Sequence, residues 1–167
     1  MTQENVSAFS FYKHIRKYLS QNISLADSKA RTVILASLIL LAIFFALDVF
    51  LFGDMGRIYS TVQIIFWVLT VIVIFASFFC GLMVLLPKTA PAKKGFIYWG
   101  ASLNFSLEEY RDELRLLSKD EILNELAVVN YNLGLINKRK FLWSKWSIIF
   151  AILAFVLICV DVAIFTF

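Results

Sequence analysis

Long apolar segments separated by polar ones are the dominant pattern of this chain of 167 residues. One apolar segment covers residues 32–52, a second covers residues 58–87 without a charged side chain, and a third covers residues 146–167. About 20 apolar residues are enough to cross the hydrocarbon core of a bilayer as a helix. The pattern therefore predicts an all-α membrane protein with three transmembrane helices.

The polar segments next to the first and third spans have the three- and four-residue spacing of amphipathic helices. Because no proline interrupts residues 119–167, the last helix is predicted to be continuous and much longer than the bilayer is thick. An apolar stripe on a helix outside the lipid has to be buried against other helices. The cytoplasmic extensions and one short helix are therefore expected to form a small helical bundle. The two stripes are Ala8, Tyr12, Ile15, Leu19, Ile23, Ala26, Ala30, Val33 and Ile122, Leu126, Val129, Leu133, Ile136, Lys140.

Two capping-box patterns lie between the second and third spans. Ser106 precedes Glu109 by three residues, and Ser118 precedes Glu121 in the same way, which is typical of helix starts. A short helix is predicted over residues 107–117 and a long one from about Lys119. The predicted organisation is a cytoplasmic amphipathic helix at 1–30, transmembrane helices at 31–53, 58–87 and 144–167, and a cytoplasmic helical region at 88–143.

Lysine and arginine residues are distributed unequally between the two sides of the predicted spans. Five precede the first span, ten lie in residues 88–145, and the short loop between the first two spans carries only Arg57. Positive residues are retained on the cytoplasmic side of a membrane. We therefore expect a cytoplasmic N-terminus and the C-terminal Phe167 at the outer face.

Two carboxylates lie inside the predicted spans. Asp48 and Asp161 are each about 25 Å from the inner boundary, because each follows the last flanking cation by 16 or 17 residues. Ionisable residues in spans often line ion pathways, which suggests a ring of carboxylates around a cation-permeable opening in an oligomer. The alternative is that both are hydrated near the outer headgroups or paired with Arg57.

Basic residues cluster just before the first and third spans. A phosphate-bearing ligand could be held there by charge-assisted hydrogen bonds, and ordinary contact with anionic lipid is the alternative. Asp27 lies one helical turn before Arg31, which predicts a local ion pair. The cationic set is Lys29, Arg31, Lys138, Arg139 and Lys140.

Small residues recur at four-residue spacing in two of the spans. Ala42-x-x-x-Ala46 and Ser77-x-x-x-Gly81 both permit close approach of helices. Because such spacing is frequent, it favours packing within the chain over a specific oligomer interface.

Patterns that carry catalysis are lacking in the sequence. The single His14 has no partner cluster, there is no glycine-rich phosphate loop, and no His, Cys or carboxylate spacing indicates a metal site. We therefore expect no enzymatic activity and no cofactor.

Four short segments resemble, in order, those of one known family. They are residues 22–30, which contain an Asp-x-Lys-Ala sequence, residues 85–87, residues 105–110 and residues 136–141. These segments are similar to the Pycsar effector transmembrane family. Asp27, Lys29 and Ala30 match its signature, and Lys140 matches a basic residue before its last span, where Phe141 replaces the more usual tyrosine.

The resemblance implies a role in bacterial antiphage defence. In that family a partner nucleotide cyclase makes cyclic CMP or cyclic UMP on infection, and the effector in the inner membrane responds by impairing membrane integrity. The resemblance thus implies a cyclic nucleotide as ligand, a homo-oligomer in the lipid bilayer, and no DNA or RNA partner. The alternative is a non-enzymatic membrane adaptor or scaffold whose cytoplasmic bundle docks a partner protein.

Overall fold

A computed structural model describes residues 3–52, 61–86 and 105–166. Within these ranges the chain forms four helices and no strand: α1 at Gln3–Phe52, α2 at Thr61–Leu85, α3 at Leu107–Leu116 and α4 at Lys119–Thr166. By length and composition, α1, α2 and α4 can each cross a membrane. The prediction of an all-α fold with three long apolar helices is confirmed, and the loop that carries Arg57 lies outside the described residues.

Both predicted capping boxes are present. The Ser106 N–H donates to the Glu109 carboxylate over 2.8 Å, and the Glu109 N–H donates to the Ser106 Oγ over 3.2 Å. At the start of α4 the same reciprocal bonds join Ser118 and Glu121, over 2.7 and 3.3 Å. Each box satisfies backbone N–H groups that a helix start leaves without a partner, so the sequence fixes both starts locally.

The cap of α3 is expected to weaken in acid. Hydrogen bonds from the backbone and side chain of Ser106 lower the pKa of the Glu109 carboxyl below its ordinary value. The cap therefore stabilises α3 fully above the unfolded pKa of about 4.3, and this stabilisation is lost as the pH falls through the lower folded value. Protection of the amides of residues 107–110 from hydrogen exchange, measured relative to the intrinsic exchange rate at each pH, should decrease over that range.

Glu108 provides the matched control, because it is an exposed neighbouring carboxylate outside the capping box. Glu109→Gln should raise exchange in the first turn at neutral pH and remove most of its acid dependence, whereas Glu108→Gln should leave both nearly unchanged. Equal effects of the two variants would show that helix-dipole charge, and not the cap, controls this turn.

The chain divides into two compact units, each built from parts of α1 and α4. The first unit comprises Met1–Ser24 and Pro87–Lys138, and the second comprises Leu25–Leu86 and Arg139–Phe167. The first unit includes α3, and the second includes α2.

In the first unit two asparagines on α4 bind the backbone of α1. Asn130 donates from Nδ2 to the Tyr12 carbonyl over 3.2 Å, and Asn137 donates to the Leu19 carbonyl over 3.4 Å. Both bonds join residues 118 apart, so the two helices run parallel in this unit. The seven-residue steps on each helix are those of a coiled coil, in which a polar residue at the contact fixes the register.

The short helix α3 buries little of its apolar surface. Leu107, Leu114 and Leu116 are exposed, and of the side chains that the structure describes in α3 only Tyr110 is half-buried. Among the described residues, the pairing of α1 with α4 is therefore the main packing of the first unit.

The core of the second unit is drawn from α1, α2 and α4. Large apolar side chains also cover its outside, including Leu35, Phe50, Ile65, Ile72 and Ile152, which are all more than half exposed. Exposure of so much apolar surface fits a lipid-facing wall and explains why these helices need a bilayer. The buried cluster consists of Phe44, Val73, Ile74, Ala154 and Ile158.

Candidate functional site

An ion pair joins α1 to α4 at one end of the second unit. The Lys140 ammonium donates to a carboxylate oxygen of Asp27, and the two side chains are only 13% and 29% exposed. The predicted partner of Asp27 was Arg31, one turn along the same helix. That prediction is wrong, because Asp27 is directed to α4 while Arg31 is exposed.

Small buried residues bring the helices together around this pair. Ala26 and Ala30 are fully buried with Val84 of α2, and Leu85 and Trp143 pack against them. Alanines flank Asp27 on one face of α1, so the backbones can approach closely enough for the lysine to reach the carboxylate. The signature residues Asp27 and Ala30 thus both contribute to helix contacts.

The remaining predicted cations are placed differently. Lys29, Arg31 and Arg139 are exposed in the second unit, and Lys138 is exposed at the end of the first. Of the six predicted ligand-binding residues, the structure brings only Asp27 and Lys140 into direct contact. The exposed cations carry positive charge that the protein leaves available to solvent, lipid or ligand.

Three serines link the helices of the second unit through hydrogen bonds. The Ser37 and Ser77 hydroxyls lie 2.9 Å apart. Ser77 donates to the Ser147 carbonyl over 2.9 Å, and Ser147 donates back to the Ser77 carbonyl over 2.8 Å. All three side chains are almost completely buried. Sequence reasoning identified only Ser77, although three isolated serines within apolar spans are a usable signal of polar contacts between helices.

Gly81 lies one turn beyond Ser77 and permits close approach of the neighbouring helices. An added Cβ would lie 2.7 Å from Cγ1 of Ile34 and 3.3 Å from Oγ of Ser147. The prediction that the Ser77-x-x-x-Gly81 spacing serves packing within the chain is confirmed. Ala42 and Ala46 are exposed, so their spacing does not serve packing within this chain.

Comparison with protein families places these features in a known context. A family model described as the Pycsar effector protein domain matches residues 11–167. The chain belongs to the Pycsar effector family. No curated protein and no solved structure gives a significant match.

Membership makes this Pycsar effector a membrane effector of a cyclic-nucleotide antiphage system. The family is one of effectors and not a known enzyme family. The matched region contains the ion pair, the serine cluster and all the exposed cations named above.

The two carboxylates predicted inside the spans also belong to the second unit of this Pycsar effector. Asp161 is buried and its Oδ1 has no hydrogen-bond partner among the described residues, whereas Asp48 is half-buried. Asp48 lies on α1 and Asp161 on α4, the two helices that the Lys140–Asp27 pair joins. Among the described residues, no group of three or more His, Cys, Asp or Glu side chains is arranged to hold a metal ion.

Proposed function

We propose that this Pycsar effector binds a cyclic nucleotide, cyclic CMP or cyclic UMP, and responds by rearranging in an oligomer that impairs the bacterial inner membrane. The Lys140–Asp27 pair is the observation that carries the proposal. It joins the first and last spans through a contact that an anionic ligand can compete for.

Charge at this end of the second unit favours an anion. Asp27 neutralises Lys140, whereas Lys29, Arg31 and Arg139 are exposed. The phosphodiester of a cyclic mononucleotide carries one negative charge and accepts charge-assisted hydrogen bonds from such groups.

Competition for Lys140 would convert binding into movement. A phosphate that accepts hydrogen bonds from Lys140 releases Asp27 and weakens the contact between α1 and α4. The ligand then favours the arrangement in which the pair is open, and such a difference in affinity is what any ligand-driven switch requires. Helices freed at this end can form new contacts with helices of neighbouring protomers.

The orientation follows from the basic residues. With the N-terminus and residues 88–143 on the cytoplasmic side, the Lys140–Asp27 pair would be accessible to a messenger made in the cytoplasm. A cyclase partner would supply that messenger.

The first test is thermal stability of the detergent-solubilised protein with a panel of cyclic mono-, di- and trinucleotides. A ligand at 100 times its dissociation constant that binds only the folded state adds about 2.7 kcal/mol to stability. Cyclic CMP or cyclic UMP should raise the Tm, and Lys29→Ala should abolish the increase without affecting the Lys140–Asp27 pair. Lys119→Ala removes an exposed cation at the start of α4 and should leave the increase intact.

The second test is dye release from vesicles that contain the protein. The nucleotide that raises the Tm should trigger release, and Lys29→Ala should prevent it. If no nucleotide changes either the Tm or the release, the proposal is wrong and the adaptor function is favoured.

A further inference from the structure

The Lys140–Asp27 contact has a counterpart at the other end of the same two helices. Asp48 follows Asp27 by 21 residues in α1, which is three heptads. Asp161 is likewise 21 residues beyond Lys140 in α4, so Asp48 and Asp161 are 113 residues apart, as are Asp27 and Lys140. The two pairs of positions are therefore equivalent along the two helices. At 1.5 Å per residue they are about 31 Å apart, close to the thickness of the hydrocarbon core.

The intervening heptad positions confirm that these residues share one contact line. On α4 the positions between Lys140 and Asp161 are Ser147 and Ala154, and both are fully buried. On α1 the corresponding positions are Ile34 and Leu41, which are half-buried like the aspartates at either end. Residues at seven-residue spacing occupy equivalent places along a pair of parallel helices.

The buried apolar cluster next to Asp48 and Asp161 also indicates that the two residues face each other. Phe44 and Ile158 belong to one buried cluster. Asp48 is one turn beyond Phe44, and Asp161 is three residues beyond Ile158, so both carboxyl groups project from the same faces as that cluster. Their mutual electrostatic interaction follows from this arrangement.

The two ends of the contact line differ in charge. At one end a lysine forms an ion pair with a carboxylate, whereas at the other end both positions carry a carboxyl group, and the charge of Asp48 acts on Asp161. Asp161 is only 9% exposed, and no residue that the structure describes donates a hydrogen bond to its Oδ1. Two carboxylates side by side in a poorly solvated place repel each other strongly unless a positive charge is held between them.

The described protein offers no such charge nearby. Helix α2 carries no charged residue, and Asp161 is the only charged residue of α4 after Lys145. The uncharged polar residues toward this end include Thr61 and Gln63 of α2 and the exposed Cys159 of α4. Asp54 and Arg57 lie in the loop outside the described residues.

We propose that Asp48 and Asp161 form a binding site for one proton, shared as a carboxylic acid and a carboxylate. The acid O–H of one side chain donates to the other, which satisfies the unpartnered oxygen and removes one of the two negative charges. A proton needs only these two oxygens, whereas hard metal ions require six or more oxygen ligands. Deprotonation restores the repulsion and separates α1 from α4 at this end. The site is independent of nucleotide binding.

Infrared spectroscopy of the protein in lipid nanodiscs tests the proposal directly. The wild-type protein at about pH 7, where ordinary aspartates are ionised, should show the C=O stretch of a protonated carboxylic acid. Asp161→Asn should abolish the band, because the remaining half-buried carboxylate has no partner to share with. Asp48→Asn should shift the titration of this band to lower pH, because the charge that opposes ionisation of Asp161 is then gone. Asp27→Asn, the matched change three heptads away, should leave it unchanged.

Thermal stability provides a second readout. The Tm of the wild-type protein should fall as the pH rises from about 5 to about 9, and Asp161→Asn should be free of this fall, because the amide carries no charge. Absence of the infrared band in the wild-type protein, or its persistence in Asp161→Asn, would overturn the proposal. Stabilisation by added Na⁺, K⁺ or Ca²⁺ at constant pH that Asp161→Asn abolishes would also overturn it, in favour of a metal ion.

Discussion

Replacement of Lys140 by methionine is expected to destabilise the protein by about 2–3 kcal/mol. The change keeps the apolar stem but leaves Asp27 part-buried without its partner. For a protein of this size the loss corresponds to a decrease in Tm of roughly 5–10 °C. Thermal unfolding in detergent, followed by tryptophan fluorescence, measures it.

Arg115 is the matched control, because it forms an ion pair with Asp112 one turn away in which both side chains are more than 70% exposed. Arg115→Met should change stability by less than about 0.5 kcal/mol. Adding Asp27→Asn to Lys140→Met should recover part of the loss, since the unpaired charge is then gone. Equal losses of stability in Lys140→Met and Arg115→Met, with no recovery when Asp27→Asn is added to Lys140→Met, would contradict a specific role for the Lys140–Asp27 pair.

Gly81→Ala is expected to destabilise the second unit by about 1–3 kcal/mol. The new methyl group would lie 2.7 Å from Cγ1 of Ile34, so either that side chain or the backbone of α2 has to move. Movement of α2 would also lengthen the hydrogen bonds between Ser77 and Ser147. Thermal unfolding in detergent again provides the measurement.

Gly134 is the matched glycine in α4. Nothing lies within 4 Å of a Cβ added there. Because alanine is the better helix former, Gly134→Ala should stabilise the protein by roughly 0.5–1 kcal/mol. The two substitutions are chemically identical and should therefore shift the Tm in opposite directions. A decrease of the same size in both would mean that loss of glycine flexibility, and not packing, is decisive.

Local features of the fold could be predicted from the sequence. The capping boxes at Ser106 and Ser118 depend on residues three positions away, so the sequence contains both halves of each interaction. The positions and approximate lengths of the long helices could be predicted in the same way, because apolar periodicity is also a local property of the sequence. Burial of Ser77 and Gly81 was also predictable, since their spacing places them on one face of α2.

Contacts distant in sequence were harder to predict. Asp27 had a plausible local partner in Arg31, and nothing in the sequence indicates which face of α1 meets α4. The partner that the structure provides is 113 residues away. Asn130 and Asn137 directly follow Val129 and Ile136 of the predicted apolar stripe and were not part of it. Their seven-residue spacing was a signal for a buried polar contact that the apolar pattern did not include.

The pairing of the first helix with the last has a consequence for biosynthesis. Asp27 can find Lys140 only after the following 113 residues have been made, so the Asp27 carboxylate of α1 lacks this partner until the start of the last span has been synthesised. Chains interrupted before α4 cannot complete this contact and are natural substrates for quality-control proteases. Contacts of such long sequence separation thus make assembly of the effector conditional on synthesis through α4, so truncated products that lack this helix cannot reach the folded state of the membrane effector.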